Sequence, residues 1–222
     1  MRMYIILGIV LAILTLWLGW TFFASGNLET PNYTVLETRD DFDIRQYESY
    51  IVAEVTVAGT YDQALNQGFR ILAGYIFGGN VSRESVAMTA PVTENDAEKI
   101  AMTAPVTEQI NEKIAMTAPV TESQGETTRT VGFTMPSKFT LETLPIPNDD
   151  RVQFREVPPT KRAVTTFSWF APSERIERKK AELLDAVITD DLSPLSPPTY
   201  AAFNDPWSFP LLKKHEIWVD IE

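Results

Sequence analysis

The chain has 222 residues, of which 44% are apolar and 22% charged, and its net charge is −11. This suits one globular domain with an appendage. The absence of cysteine excludes disulfides, thiolate metal sites, a cysteine nucleophile and a cysteine-linked lipid anchor.

From Met3 to Ala24 no residue is charged. At about 1.5 Å per residue such a helix crosses a hydrocarbon core of roughly 30 Å. A cleaved signal peptide, with Ala24-Ser25-Gly26 as its small-residue site, is the competing reading, but signal h-regions usually run about 7–15 residues. Trp17 and Trp20 suit an interfacial belt. Arg2 precedes the run, whereas Glu29, Glu37, Asp40 and Asp41 follow it. The positive-inside rule then puts the N-terminus in the cytoplasm and the rest in the periplasm or outside the cell. With Arg2 set aside the remainder carries −12, which repels nucleic acid and anionic headgroups. The expected organisation is an anchor or uncleaved signal over 1–25, a tether over 26–32 and a domain over 33–222.

Tyr33–Thr38, Phe42–Tyr47 and Tyr50–Gly59 read as strands, the last rich in β-branched residues. Tyr61, Leu65, Phe69, Leu72 and Ile76 then recur at helical spacing. Thr60 is a candidate N-cap, and Gly78-Gly79-Asn80 a stop.

The octet AMTAPVTE follows three times, starting at Ala87, Ala101 and Ala115, so that 87–122 is a 14-residue repeat. It cannot be helical, because each proline lacks an N–H and pushes the preceding alanine out of the α region. As strands, Met88, Met102 and Met116 face the apolar side. Pro91, Pro105 and Pro119 confine each copy to a sheet edge, a bulge or a strand end. The period is even, so sliding by one repeat keeps the same residues inward. Any one copy could fill a single slot. The repeat could also add a strand to a protein partner's sheet.

Arg129–Pro136 reads as a strand, and Val152–Val157 with Lys161–Trp169 as a hairpin around Pro158-Pro159. A helix follows with Ser173 as N-cap and Ile176, Leu183, Leu184 and Val187 as its buried stripe. Tyr200–Pro206 and Glu216–Ile221 are closing strands. At an offset of 110, Ile44 matches Phe154, Arg45 matches Arg155, Tyr47 matches Val157 and Ala53 matches Ala163. This predicts an α+β fold built from a duplicated strand–strand–helix–strand unit.

"YIFGGN", "EKIAMTAPVTE", "VGFTMPSKFTLETLPIPND" and "YAAFNDPWSFPLLKKHEIWVDI" together resemble the SOUL heme-binding protein family, from Glu29 to Ile221. The resemblance implies a distorted antiparallel β-barrel flanked by two helices. The family has one MTAPV segment where this chain has three. Some members bind heme or another tetrapyrrole in an apolar pocket beside the first helix. This implies hydrophobic capture by Leu65, Phe69 and Leu72, with Arg70 as the basic residue on that helix, or binding of another apolar small molecule. His215, the single histidine, is a weak axial-ligand candidate, sharing a face with Ile217 and Val219. No metal site is expected. No Gly-x-Ser-x-Gly elbow or second histidine points to catalysis, so a non-enzyme is expected. Asn32-Tyr33-Thr34 and Asn80-Val81-Ser82 are glycosylation sequons.

Overall fold

The computed structural model describes residues 2–25, 28–83, 112–124, 128–204 and 207–222. Helix α1 spans Arg2–Ser25, and its apolar side chains from Met3 onward are largely exposed. Thr15 and Thr21 each donate their hydroxyl to the carbonyl four residues back, at 2.6 and 3.0 Å. Both hydroxyls are thereby satisfied without water.

Among the described residues, the domain has nine strands in one rolled sheet, two helices packed on it and a small satellite pair of strands. In chain order these are β1 (Tyr33–Thr38), β2 (Asp43–Tyr47), β3 (Tyr50–Ala58), α2 (Tyr61–Ile76), β4 (Asn80–Val81), β5 (Val120–Gln124) and β6 (Thr128–Thr134). They continue as β7 (Ile146–Pro147), β8 (Gln153–Val157), β9 (Thr160–Phe167), α3 (Ser173–Thr189), β10 (Thr199–Ala202) and β11 (His215–Asp220). All pairings between these strands are antiparallel, and the nine-stranded sheet runs β1-β2-β9-β11-β10-β5-β6-β3-β8. Strands β4 and β7 pair apart from it.

The duplication is visible in the register. Ile44 pairs with Ala163 and Tyr47 with Thr160, while Phe154 pairs with Ala53 and Val157 with Tyr50. A shift of 110 in opposite directions turns one set into the other. Without β1, exchanging β2 with β8, β3 with β9, β5 with β10 and β6 with β11 reverses the strand order onto itself. A pseudo-two-fold axis therefore passes between β10 and β5. Each half contributes two strands after its helix to the nine-stranded sheet, as the closing strands read from sequence imply, one more than the strand–strand–helix–strand unit contains.

The expected hairpin between β8 and β9 does not form. These strands lie at ninth and third place in the sheet. Pro158 and Pro159 offer no N–H to close a hairpin, and both strands find partners in the other half. Glu48-Ser49 makes the equivalent jump from β2 to β3. Two-residue connectors cannot span a flat sheet whose strands lie about 4.8 Å apart. The sheet must curl until β2 and β9 near one end approach β3 and β8 at the other, which makes its helix-free face the inner one.

Helix α2 packs on β3 and β6, and α3 on β9, β10 and β11. Beneath α2 lie Val55, Leu72, Tyr75, Ile76, Val131 and Phe133; beneath α3 lie Ile44, Ile176, Leu183, Val187, Ile217 and Val219. Gly68 lets α2 approach closely, since a Cβ there would lie 2.6 Å from Val131 Cγ2. Thr60 caps α2, and its N–H donates to Gln63 Oε1 at 3.3 Å. The cap of α3 is Pro172 rather than Ser173, which is the first helical residue. Leu184 is half-buried, and Lys180 takes a place on the buried stripe. Its ammonium lies 3.3 Å from Glu122 of β5, which also meets Arg129 at 2.6 Å. A buried carboxylate needs such partners.

The third repeat copy occupies the sheet. Its strand begins directly after Pro119, at a strand end as the proline requires, but β5 is interior, between β10 and β6. Ala118 is buried; Met116, expected to face the core, precedes the strand and is 42% exposed. The first two copies, with Met88 and Met102, lie outside the described residues. Ile114, just before the third copy, is buried in the core under α2.

Candidate functional site: the inner face of the rolled sheet

Strand parity sends His215, Ile217 and Val219 toward α3, and so turns Glu216, Trp218 and Asp220 to the inner face. The same parity turns Arg162 inward from β9, Tyr50, Val52 and Glu54 from β3, and Arg155 and Val157 from β8. With Thr121, Ser123, Thr130, Gly132 and Thr199 these line a groove of about 390 Å³. It crosses the pseudo-two-fold axis and draws on both halves. At Gly132 an added Cβ would lie 2.7 Å from Thr121 Oγ1 and 2.8 Å from Val52 Cγ1. Glycine keeps this part of the floor open.

The charges in the groove are internally matched. Arg155 meets Glu54 at 3.0 Å. Arg162 donates to Asp220 Oδ1 and to the Tyr50 hydroxyl, both at 2.7 Å. Its guanidinium also faces the rings of Tyr47, Trp218 and Tyr50, at 4.9, 4.9 and 5.6 Å. Burial works against this charge, but Tyr50 and Asp220 outweigh it, so Arg162 holds its proton more firmly than usual. Next to the groove, buried Glu216 accepts from Arg45 at 2.9 Å and from Trp218 Nε1 at 2.6 Å. Burial, then the Glu216 charge, pushes the Tyr47 phenol well above its ordinary value. The groove therefore offers a ligand aromatic, aliphatic and hydroxyl surface and little net charge.

The residues singled out from sequence lie elsewhere. Leu72 is fully buried in the core under α2, and Leu65 packs half-buried against that core. Phe69 is 40% exposed, with its ring 5.2 Å from Phe133. Arg70 is on the outer side of α2, in an open depression shared with Asn66, Asp149, Asp150 and Arg151. The helix thus groups Leu65, Phe69 and Leu72 and separates Arg70 from them. His215 is buried between the rings of Phe167 and Tyr200. Its Nε2 lies 2.9 Å from Trp169 O, which can only accept, so Nε2 carries the proton. Nδ1, 2.7 Å from the Tyr200 hydroxyl, accepts. Burial lowers its pKa, with Lys213 and Arg175 adding to the effect. With both nitrogens engaged, His215 does not fit the role of axial heme ligand. Asn80 is also closed off: its side-chain amide bonds Tyr75 O at 2.7 Å and Glu112 O at 2.8 Å.

The sequence reading looked for the pocket beside the first helix and did not single out the groove. The signal was present in "EIWVDI", where a tryptophan flanked by two acids shares the face opposite Ile217 and Val219. Its meaning depended on the sheet rolling up, which no local pattern encodes.

The sequence model of the SOUL heme-binding protein family matches residues 28–99 and 93–220, two regions that overlap within the repeat. No curated protein matches the chain. Among solved structures, the C-terminal domain of EcmrR is similar at 11% identity and a TM-score of 0.50, covering 86% of this chain and 98% of that one. A hydrolase from Listeria innocua is similar at 10% identity and a TM-score of 0.49, covering 84% and 94%. At these identities the likeness concerns the fold alone.

Proposed function

Because the chain belongs to the SOUL heme-binding protein family, we propose that it is a non-catalytic, membrane-anchored binding module whose ligand seat is the groove inside its rolled sheet. The observation that carries this reading is the groove itself, about 390 Å³ and walled by both halves. That volume is at the lower end of small-molecule sites, which run about 300–1,000 Å³. With Arg155 and Arg162 already matched by Glu54 and Asp220, the preferred ligand is a flat, weakly charged, mainly apolar molecule. It would lie against Val52 and Trp218 and bond the hydroxyls of Thr121 or Ser123. The same pairing argues against catalysis, because the groove's two carboxylates are committed to arginines. Helix α1 serves as the anchor of this reading, with its N-terminus cytoplasmic, residues 26–32 as tether and 33–222 as the domain beyond the membrane.

A tetrapyrrole is a second reading, favoured by the exposed ring of Phe69 on α2. A porphyrin would be captured there by Phe69 and the exposed part of Leu65, with Leu72 packed in the core beneath them, without ligation by His215, and Arg70 would reach a propionate only at the margin. A protein partner for the repeat would have to use the first two copies, since the third has no free edge.

The two ligand seats are separated by titrating the full chain in lipid nanodiscs with a panel of small aromatic compounds and with hemin. Tryptophan quenching and absorbance are the readouts, with empty nanodiscs as the reference. Groove binding is lost when Ser123→Trp fills the floor and persists in Phe69→Ala. The opposite pattern moves the ligand to α2. Ligands that bind both variants as tightly as the parent refute the groove.

A further inference from the structure

One exposed apolar surface lies outside both ligand seats. Trp169, Phe170, Trp207, Leu211 and Leu212 are between 39 and 79% exposed. They come from two loops that are tied together: Trp169 N–H donates to Pro210 O at 3.0 Å, and the Trp169 and Phe170 rings meet edge-on at 5.6 Å. Cations border the patch. Lys213 Nζ lies 5.5 Å from the Phe170 ring centre, and Arg175 donates to Phe170 O at 2.7 Å. Large apolar patches of this kind mark an interaction surface.

The same loop grips α1. Trp17 Nε1 donates to Trp207 O at 2.7 Å, and the Trp17 ring stands edge-on to Phe209 at 5.0 Å. Phe209 N–H donates to Thr21 Oγ1 at 2.8 Å. These contacts set a depth. The apolar span is Met3–Thr21, so its middle is Ala12. At about 1.5 Å per residue, Trp17 lies roughly 7 Å and Thr21 roughly 13 Å from that middle. The hydrocarbon extends about 15 Å to each side. A loop bonded to both residues is therefore held in the outer half of that leaflet's hydrocarbon, reaching toward its edge, where tryptophan, leucine and bordering lysines belong.

We infer that residues 207–212, with Trp169 and Phe170, form a membrane-seating face that enters the phospholipid leaflet on the domain's side and fixes the domain against the bilayer. The occupant is the lipid of the membrane that α1 crosses, because the patch is continuous with the helix inside it. The inference rests on α1 being an uncleaved anchor.

The lack of native cysteine makes the test direct. Single variants Ala12→Cys, Leu211→Cys, Phe170→Cys and Ile188→Cys of the full chain carry an environment-sensitive fluorophore in phosphatidylcholine vesicles. The lipids are spin-labelled either near the headgroup or at the acyl end. Ile188 lies about 22 Å along α3 from Ser173. The expected result is quenching of Ala12 by the deep label, and severalfold stronger quenching of Leu211 and Phe170 than of Ile188 by the shallow one. Quenching at Ala12 without quenching at Leu211 and Phe170 overturns the seating face and leaves the anchor intact. A blue-shifted but unquenched Leu211 does the same, by assigning the patch to a second copy of the chain. Equal quenching at Leu211 and Ile188 overturns a preferred face. No quenching at Ala12 overturns both the anchor and the seating face.

Discussion

His215 illustrates how burial decides the role of a residue. It shares a face with Ile217 and Val219, so it lies in the layer under α3 and can remain there only if both ring nitrogens find partners. Tyr200 and Trp169 supply them. Its depressed pKa has a consequence for stability. The unfolded chain takes up the proton near pH 6.5, while the folded chain resists until a lower pH. Between those values the unfolded state binds more protons, so stability falls as pH drops below about 6.5 and levels off once the folded histidine is also charged. In urea titrations, His215→Gln should flatten that part of the profile and cost about 1–2 kcal/mol at neutral pH, because one buried partner is left poorly matched. The face of His215 was legible from strand parity. Its partners were not, since they lie 15 and 46 residues away in the chain.

At the scale of elements, helices and strands were read well, because each depends on local spacing, capping and proline placement. Strand pairing was read less well, because it depends on which half supplies the partner. Strand β5 shows both outcomes. Its proline confined it to a sheet edge, a bulge or a strand end, and the strand end is what forms; its interior position follows from pairing with β10 across the pseudo-two-fold axis. Deleting 95–122 would join Glu94 to Ser123 and leave one copy in the same local sequence, AMTAPVTESQ. Val86 would then take the place of Ile114, and Glu94 that of Glu122 opposite Lys180 and Arg129. Losing one buried methylene costs about 0.5–1.5 kcal/mol, and the shorter connection returns part of it. The deletion variant should therefore fold with an unchanged far-UV spectrum and a denaturation midpoint close to the parent's. Loss of the fold would mean that the first two copies carry structural contacts of their own.

At the scale of the whole molecule, the two halves are interlocked. Strand β2 takes its inner partner β9 from the second half, and β3 takes its outer partner β8 from the same half. Neither half can satisfy its own edges, and each connector spans the roll. Fragments 28–149 and 150–222 should each be largely unfolded alone and regain the sheet spectrum when mixed, a result that circular dichroism would check. Independent folding of either fragment would contradict the pairing. The sequence offset of 110 revealed that the halves correspond; only the register shows that they exchange strands. The exchange also gives the groove a direction. Position 52 in one half corresponds to position 162 in the other, but the first is valine and the second is an arginine enclosed by three aromatic rings. Two identical halves would hold a ligand in either of two orientations at equal energy. These halves differ, so a ligand with unlike ends will have a head and a tail in this site.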